Sequence, residues 1–425
     1  MPTDNRRRNL ITVSSGGASG DQAALAPQPA GNAPKPRTKR RRVKTKEPGI
    51  RVVDGSMDML FFVVVVVLLI YGLVMMFSAS YMEGLLNHGD GYMYVRTQGI
   101  AAIIGVLLML FISFFDYHIL MNTNVVFIGY FGMLAILTYT SFFGDDAHDA
   151  RRWINIGPLS FQPSEAMKPV LIVFVAYLII KLKDKNISMQ KKVIPLLLAM
   201  LPVCLNMVLQ RHISGLLIMC ALFACVVFVS GMPWKDMLKL GAVVLVFAVV
   251  AAVAYSVARG GGLSYIFDRV ASMESVESGE ITDDNWQTAQ SLIAIGSGGW
   301  FGLGFGESRQ KYLWLPESQN DFIISIIVEE LGYMGGLAVL ILFGLLVYRG
   351  FRIASKAPDR FGMLITSGMT FQIGLQAILN IGVACNAFPN TGVSLPFFSS
   401  GGTALVIQLA EMGVVLAVSR RCENI

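Results

Sequence analysis

Long, uninterrupted runs of apolar residues separate shorter polar segments along most of this 425-residue chain. Each run holds roughly twenty residues, the length that a helix needs to cross a hydrocarbon core about 30 Å thick. Because the runs are continuous and do not alternate apolar with polar positions, they predict helices and not the strands of a barrel. We predict ten spans, at residues 58–80, 97–115, 123–143, 166–181, 193–209, 213–231, 240–258, 321–348, 363–385 and 402–419.

Composition indicates the same fold class. The chain is 54% hydrophobic and only 15% charged, and its mean hydropathy is +0.59. Ordinary soluble domains are about 45–50% apolar and about 25% charged, so the sequence predicts an all-α, polytopic integral membrane protein. The five cysteines show no CxxC spacing and the four histidines form no HExxH motif. Neither a disulfide framework nor a zinc site is therefore expected.

Positive charge is concentrated at the start of the chain. Residues 1–51 carry twelve Lys or Arg against three acids, a net charge of +9. The segment is rich in Pro, Ala and Gly and almost without aromatic residues, so residues 1–54 are expected to form a disordered, basic cytoplasmic tail. We expect this tail to act as a positive-inside anchor that touches anionic lipid, and we expect no binding of nucleic acid.

Basic residues also mark the turns after the fourth, sixth, eighth and tenth spans, as the positive-inside rule requires when the tail is cytoplasmic. These residues are Lys181, Lys183, Lys185, Lys191, Lys192, Lys235, Lys239, Arg349, Arg352, Lys356, Arg360, Arg420 and Arg421. Both termini are therefore predicted to be cytoplasmic, including residues 422–425. The membrane domain is predicted at residues 55–421, with outer loops at 144–165, 259–320 and 386–402, of which the large second one joins spans seven and eight.

The outer loops and the short segment 210–215 contain the least ordinary sequence, and loops often carry function. The outer face of a membrane has no ATP, so a reaction there needs a substrate that arrives already activated. The glycine-rich stretch 301–308, FGLGFGES, is not expected to bind a nucleotide, because no strand precedes it.

Basic residues on the outer side depart from the positive-inside pattern and are candidates for anion binding. They are Arg151, Arg152, Lys168, Arg309 and Lys311. The planar fork of arginine suits phosphate, but an arginine pair can also extend to lipid headgroups. Lys168 lies three residues after Glu165, so an ion pair on one helix face is an alternative role.

Asp321 stands at the start of the eighth span and is the candidate general base, since an acid beside an anion site could deprotonate a hydroxyl group. Its position also suits a helix N-cap or first-turn acid. Of the adjacent Glu329 and Glu330, only one is expected to face the cavity, because neighbouring helix residues point about 100° apart. A polar seam between the last three spans is predicted from Gln372, Gln376, Asn380 and Glu411.

Four segments resemble the SEDS family of shape, elongation, division and sporulation proteins, whose members include FtsW and RodA. The segments read SAS at 78–80, ARRWINIGPLSFQPSEAMKP at 150–169, QSLIAIGSGGWFGLGFGESRQKYLWLPESQNDFI at 290–323 and NTGVSLPFFSSGGTALV at 390–406. The resemblance covers roughly residues 55–421. It implies a peptidoglycan glycosyltransferase that polymerises lipid II on the outer face of the cytoplasmic membrane, inverts the anomeric centre and releases undecaprenyl pyrophosphate.

The resemblance also implies roles for single residues. Asp321 would be the catalytic base, Glu317 would support the loop or help to bind a cation, and the remaining residues would bind substrate, its pyrophosphate included, or order the cavity. The remaining residues are Arg151, Arg152, Lys168, Lys311, Gln290, Pro396 and Ser399. No cofactor is certain from this resemblance, and a divalent cation, Mg²⁺ or Mn²⁺, is left open.

The RRW at 151–153, the SAS motif and the long tail favour the FtsW type, which acts at the division septum, over the RodA type, which acts in elongation. Either type implies a class B penicillin-binding protein as partner, and the FtsW type implies other divisome membrane proteins. The chain departs from the commoner pattern at 210–215, Ser400 and Thr403. Two other functions stay open: a lipid II flippase and a scaffold without catalytic activity.

Overall fold

The computed structural model describes residues 56–147, 150–156, 159–183, 189–258, 273, 275–276, 281–282 and 285–422. These residues all lie in one compact unit, Glu47–Ile425. The predicted tail at 1–54 and the final residues 423–425 lie outside the described part of the chain, and so does most of the stretch 259–284. The predictions for these segments stay predictions.

Ten long helices match the ten predicted spans. Along the described chain they are α1 (Met59–His88), α2 (Met93–Ser113), α3 (Thr123–Phe143), α4 (Pro163–Lys183), α5 (Met189–Leu209), α6 (Ile213–Val229), α7 (Trp234–Ala258), α9 (Ile323–Ser355), α10 (Arg360–Ala384) and α11 (Gly402–Ser419). Six of them, α1–α3 and α9–α11, are long and apolar enough to cross a membrane. The part of α5 at Val193–Leu209 and the whole of α6 at Ile213–Val229 are shorter apolar helices. The prediction of an all-α, polytopic membrane protein is confirmed.

Two of the predicted outer loops contain secondary structure of their own. Segment 144–165 holds a small antiparallel sheet in the order β1 (Asp145–Ala147), β2 (Ala150–Ile156) and β3 (Leu159–Phe161). Segment 259–320 holds the short helix α8 (Trp286–Gly298), and a short 3₁₀ helix (Tyr117–Met121) joins α2 to α3. The strands escape a hydropathy analysis because they are much shorter than a span.

Asp58 joins three helix ends at the predicted cytoplasmic side. Its carboxylate caps α1 by accepting from Phe61 N at 2.9 Å, and it forms an ion pair with Arg349 of α9 at 2.8 Å. Its main-chain N–H donates to Ser419 Oγ at the end of α11. Because the carboxylate is buried, the arginine is needed to offset the cost of its desolvation. The pair therefore fixes the inner ends of α1, α9 and α11 at one level.

A second cluster on the same side surrounds His118, which lies between α2 and α3. Its Nδ1 lies 2.7 Å from Asp116 Oδ1 and its Nε2 lies 3.3 Å from Asp359 Oδ2, while Arg421 donates to Asp116 at 2.5 Å. The hydrogen bond with Asp359 raises the pKa of His118 above its usual value, against the opposing effect of partial burial. Burial opposes ionisation of Asp359, but hydrogen bonds from His118, Tyr117 and a main-chain N–H lower its pKa to about 2.

Helix α9 is broken at Gly332, where φ is 70° and ψ is −174°. The break removes the two i→i−4 bonds that would join residues 333 and 334 to 329 and 330. All four main-chain groups bond instead to residues 299–304: Leu303 N donates to Glu329 O, Gly304 N to Glu330 O, Tyr333 N to Gly299 O and Met334 N to Trp300 O, at 2.9–3.3 Å. A broken helix is tolerated at membrane depth where such partners are supplied.

Glycines permit this close contact between α9 and residues 299–306, here called the glycine loop. The loop has positive φ at Gly299, Gly302, Gly304 and Gly306, a conformation that other residues adopt at a cost. A Cβ at Gly302 would lie 2.1 Å from Glu330 O, so a side chain there would separate the loop from the helix. The FGLGFGES stretch is thus a packing element.

Candidate active site around Asp321

Three consecutive main-chain carbonyls fix the segment that ends at Asp321. Each accepts one hydrogen bond from α10 or from the outer loop 386–402: Gln319 O from Ser400 N at 2.9 Å, Asn320 O from Ser399 Oγ at 2.6 Å, and Asp321 O from Asn380 Nδ2 at 2.7 Å. Hydrogen bonds of this kind are costly to lose in a buried setting. The backbone before α9 is therefore fixed to α10 and to the outer loop.

The side chain of Asp321 faces the outer loop 386–402. A Cβ built on Gly392 would lie 3.5 Å from Asp321 Oδ2, so a glycine at this position leaves room beside the carboxylate. Helix α9 begins at Ile323, and its N-cap residue is Phe322, which makes no side-chain cap bond. Asp321 stands one residue before the capping position, so the alternative that it is the N-cap is not supported.

Asn380 has a larger part in this site than the sequence indicated. Besides Asp321 O, its Nδ2 contacts Val393 O at 2.8 Å, so one buried amide joins α10 to both segments. The sequence placed Asn380 only in a polar helix row. Its partners are main-chain carbonyls distant in sequence, and spacing along one helix cannot reveal them.

Ser399 and Pro396 lie in the turn that carries this contact, and both are buried. Ser399 Oγ accepts from Leu395 N at 2.7 Å, and Ser399 O accepts from Gln98 Nε2 of α2 at 3.0 Å. Gln98 Oε1 also accepts from Gly401 N at 3.1 Å. Gln98 was missed by the sequence analysis because it is a lone amide in an apolar run.

The outer loop 386–402 also contacts α6 and α8. Ser214 Oγ donates to Thr391 O at 2.6 Å, and Asn390 Nδ2 donates to Gln287 Oε1 at 2.9 Å. Gln290, a predicted substrate-binding residue, is buried on α8 one turn after Gln287. The structure thus brings the outer loop, α6, α8 and Asp321 into one neighbourhood.

Glu317 lies four residues before Asp321 and is exposed. It accepts from Asn320 Nδ2 at 2.5 Å, and it is close enough to Glu83 of α1 to interact electrostatically. In the described part of the chain, His, Cys, Asp and Glu form no group of three or more that could hold a metal ion. The part of Glu317 in binding a divalent cation stays a prediction.

Lys311 is buried and makes an internal ion pair. Its Nζ lies 2.9 Å from Glu330 Oε1 and also donates to Gly306 O at 2.5 Å and to Ser78 Oγ at 3.3 Å. Ser78, the first residue of the SAS motif, donates to Glu330 as well. Lys311 therefore joins the glycine loop to α1 and α9.

Both adjacent acids of α9 are buried and bind the long outer segment, and the prediction that only one of them faces the cavity stays a prediction. Glu330 binds Lys311, while Glu329 accepts from Ser308 Oγ at 2.5 Å and from Arg309 N at 3.0 Å. Residues 306–311 wrap around the helix just before its break and contact side chains that point about 100° apart.

Lys168 is paired with Glu165, as the sequence allowed. The two atoms Nζ and Oε1 are 2.5 Å apart, and both residues are buried at the start of α4. Glu411 of α11 accepts from Gln372 of α10 at 2.9 Å and is within electrostatic range of this pair. A polar seam therefore exists between α10 and α11, and it reaches α4.

Arg151 and Arg152 are neighbours on strand β2, so their side chains leave opposite faces. Arg151 donates to Phe142 O in the last turn of α3 at 2.8 Å, and Arg152 donates to Arg211 O between α5 and α6 at 2.7 Å. Carbonyls near a helix C-terminus attract cations. The two guanidinium groups thus bind the ends of different helices, and they do not share these partners.

These contacts divide the predicted site residues into groups. Asp321, Ser399 and Glu317 are joined through hydrogen bonds of residues 317–321, while Lys311, Lys168 and the arginines bind partners elsewhere in the chain. A carboxylate on a fixed backbone and partly open to its surroundings can accept a proton from a hydroxyl group.

A family model described as cell cycle protein, covering FtsW, RodA and SpoVE, matches residues 58–424. The chain belongs to this family. The resemblance seen in the sequence motifs is confirmed, and the match begins four residues after the predicted tail, which ends at residue 54.

Curated members of the FtsW/RodA/SpoVE family are similar over most of their length. The chain is 35% identical over 380 residues to a probable peptidoglycan glycosyltransferase FtsW of Geobacter sp. (strain M18), covering 88% of this chain and 99% of that protein. It is also 35% identical over 368 residues to the stage V sporulation protein E of Bacillus subtilis (strain 168), covering 86% and 97%.

Solved structures of the family share the fold. One, described as "Structural coordination of polymerization and crosslinking by a peptidoglycan synthase complex", has a TM-score of 0.67 at 28% identity and covers 86% of this chain and 98% of its own. The crystal structure of the rod shape determining protein RodA of Thermus thermophilus has a TM-score of 0.62 at 27% identity, with coverage of 87% and 99%.

Proposed function

We propose that this family member is a peptidoglycan glycosyltransferase that joins lipid II disaccharides into glycan strands at the outer face of the cytoplasmic membrane. The names of its relatives support the activity, and the FtsW-named relatives support a role in division. A lipid-linked pyrophosphate donor carries its own leaving group, which suits a face of the membrane without ATP.

Asp321 is the proposed general base. It removes the proton from the acceptor 4-hydroxyl group, whose oxygen then attacks the anomeric carbon of the donor while the bond to pyrophosphate breaks, so the configuration inverts. The observation that carries this role is the fixed backbone at residues 319–321 beside Gly392. A base must be held within hydrogen-bond reach of the proton that it removes, and the anchored backbone holds Asp321 in one position.

The basic residues have two proposed roles. Arg151 and Arg152 are proposed to bind the departing pyrophosphate, because the planar guanidinium group matches the geometry of phosphate oxygens. Lys168 and Lys311 are buried in ion pairs, which favours a part in ordering the cavity. Gln290, Pro396 and Ser399 position the two segments around the substrate.

A class B penicillin-binding protein is the proposed partner. The solved structure of a peptidoglycan synthase complex supports this, because its description joins polymerisation with crosslinking. Location at the septum is proposed from the FtsW-named relatives, and a fluorescent fusion at midcell in dividing cells would test it.

The test compares three purified proteins in the presence of the partner and lipid II: wild type, Asp321→Asn and Glu307→Gln. Glu307 is an exposed acid on the same outer segment and serves as the matched control. Loss of a general base typically costs about 10²–10⁴ in rate, so Asp321→Asn should yield almost no glycan on a gel while Glu307→Gln polymerises like wild type. An Asp321→Asn protein that polymerises normally would refute the assignment.

Transport of lipid II is the second candidate, and the buried ionisable residues Glu165, Lys168 and Glu411 favour it, since ionisable groups inside a membrane often mark a transport path. A transporter would move labelled lipid II across liposomes without its partner and would make no polymer. Polymer from the wild-type protein together with no movement of lipid would exclude it.

A further inference from the structure

We propose that the glycine loop, residues 299–306, inserts its exposed apolar side chains into the outer leaflet and anchors the reaction segment at the depth of the lipid headgroups. The partner in this contact is the bilayer itself. The inference does not depend on glycosyl transfer, because its test measures only position in the membrane.

The first observation is the exposure of the loop. Its large apolar side chains are Trp300 at 70%, Phe301 at 84%, Leu303 at 37% and Phe305 at 53% exposed. The whole stretch 286–306 contains no charged residue and no histidine. An exposed apolar cluster without charge is unusual on a water-facing loop and indicates an interaction surface.

The second observation is the depth of the loop. Asp58 and Arg349 mark the inner ends of α1 and α9, and Ser78 meets Glu330 and Lys311 near their outer ends. About twenty residues separate the two levels on each helix, or about 30 Å at 1.5 Å per residue. This distance equals the thickness of the hydrocarbon core, so the loop, which bonds to residues 329–334, lies at the outer boundary.

The third observation is continuity with the outward surface of α9. Below the break, this helix exposes an apolar row at Tyr333 (44%), Leu337 (47%), Leu340 (51%) and Ile341 (59%). The spacing places these side chains on one helix face, as expected of a lipid-facing stripe. The ring of Trp300 contacts the ring of Tyr333 at 6.0 Å between centroids, so the loop extends the stripe to the level where Trp and Tyr are enriched in membrane proteins.

Trp314 lies away from the glycine loop. Helix α8 leads from the loop toward the start of α9, since Gly298 packs against Val328 O and Ser291 Oγ lies 2.6 Å from Ser325 Oγ. Trp286, at the far end of α8, donates from its Nε1 to Trp314 O at 3.0 Å. Trp314 is 58% exposed. It is expected to face water and provides an internal control.

The experiment reconstitutes the full chain in phosphatidylcholine vesicles and measures tryptophan emission. The difference in emission between wild type and Trp300→Phe is the Trp300 component and reports on the loop. The difference between wild type and Trp314→Phe is the Trp314 component and serves as the control. Lipids brominated on the upper acyl chain should quench the Trp300 component by about half or more, while iodide quenches the Trp314 component. Phe301→Asp should make the Trp300 component accessible to iodide, and Phe301→Leu should leave it unchanged.

Two results would overturn the proposal. One is a Trp300 component that iodide quenches as strongly as the Trp314 component and that brominated lipid does not affect. The other is a component open to iodide in the chain alone but shielded from both quenchers by a co-purified partner protein, which would make the loop a protein interface.

Discussion

Replacement of Gly302 by alanine tests whether the glycine loop holds the broken turn of α9. The added Cβ would stand 2.1 Å from Glu330 O, an atom of the main chain that cannot turn aside. The loop would have to withdraw, which would break the bonds from Leu303 N to Glu329 O and from Gly304 N to Glu330 O. Each buried group left without a partner costs about 1–3 kcal/mol.

Gly306→Ala is the matched control, because its φ of 84° is close to the 80° of Gly302 but nothing lies within 4 Å of its Cβ. The left-handed conformation alone costs about 1–2 kcal/mol, so this should be the whole loss in Gly306→Ala. Gly302→Ala should lose a further amount of about 2–6 kcal/mol, because the two buried carbonyls Glu329 O and Glu330 O lose their partners.

Unfolding in mixed micelles at increasing SDS gives the free energy of unfolding of each variant, and hydrogen exchange read by mass spectrometry follows the amides of residues 303, 304, 333 and 334. Gly302→Ala should lose protection at residues 303 and 304, whose two hydrogen bonds it breaks, more than at residues 333 and 334. If its free energy of unfolding differs from that of Gly306→Ala by less than about 1 kcal/mol, the loop does not complete the helix as argued.

Three further predictions follow from single contacts. Asn380→Ala should lower kcat with little change in KM, because the amide fixes the segment of the proposed base; Asn380→Ser should recover part of the loss, and equal kcat values would contradict this. Lys311→Met should cost about 3–5 kcal/mol in SDS unfolding by leaving Glu330 buried without its cation, and adding Glu330→Gln should restore part of it. His118 has a raised pKa, so its charged form stabilises the fold fully below pH about 6.5, and this contribution is lost as pH rises through the raised value. His118→Gln should reduce the fall of thermal stability above pH about 6.5, measured as the unfolding temperature at increasing pH.

The spans were predictable because each is a local property of the sequence. A run of about twenty apolar residues predicts a helix whatever its neighbours, and the observed ends of α3 and α11 match the predicted ones. The predicted position of a helix end was less accurate where polar contacts extend the helix. Helix α1 continues to His88, eight residues past the predicted end, because its last turns contact the outer segments.

The site was predictable in identity but not in arrangement. The motifs indicated Asp321, Lys311 and Glu317, yet the partner of Lys311 is Glu330, an acid that no motif connected with it. Contacts between residues far apart in the chain, such as Ser78 with Glu330, depend on how the helices pack and leave no periodic signal. For the same reason the opposite directions of Arg151 and Arg152 became visible only in the strand.

Because the glycine loop is hydrogen-bonded to α9, the two elements should move together. The loop completes the helix at its outer third, while Arg349 fixes the inner third to Asp58. If the inner end of α9 tilted, the glycine loop and the segment before Asp321 would move with the helix. Movement of the loop relative to α9 would leave main-chain groups unpaired in an apolar setting, which is costly. The hydrogen bonds of the loop thus tie its position to that of a helix whose inner end lies one membrane thickness away.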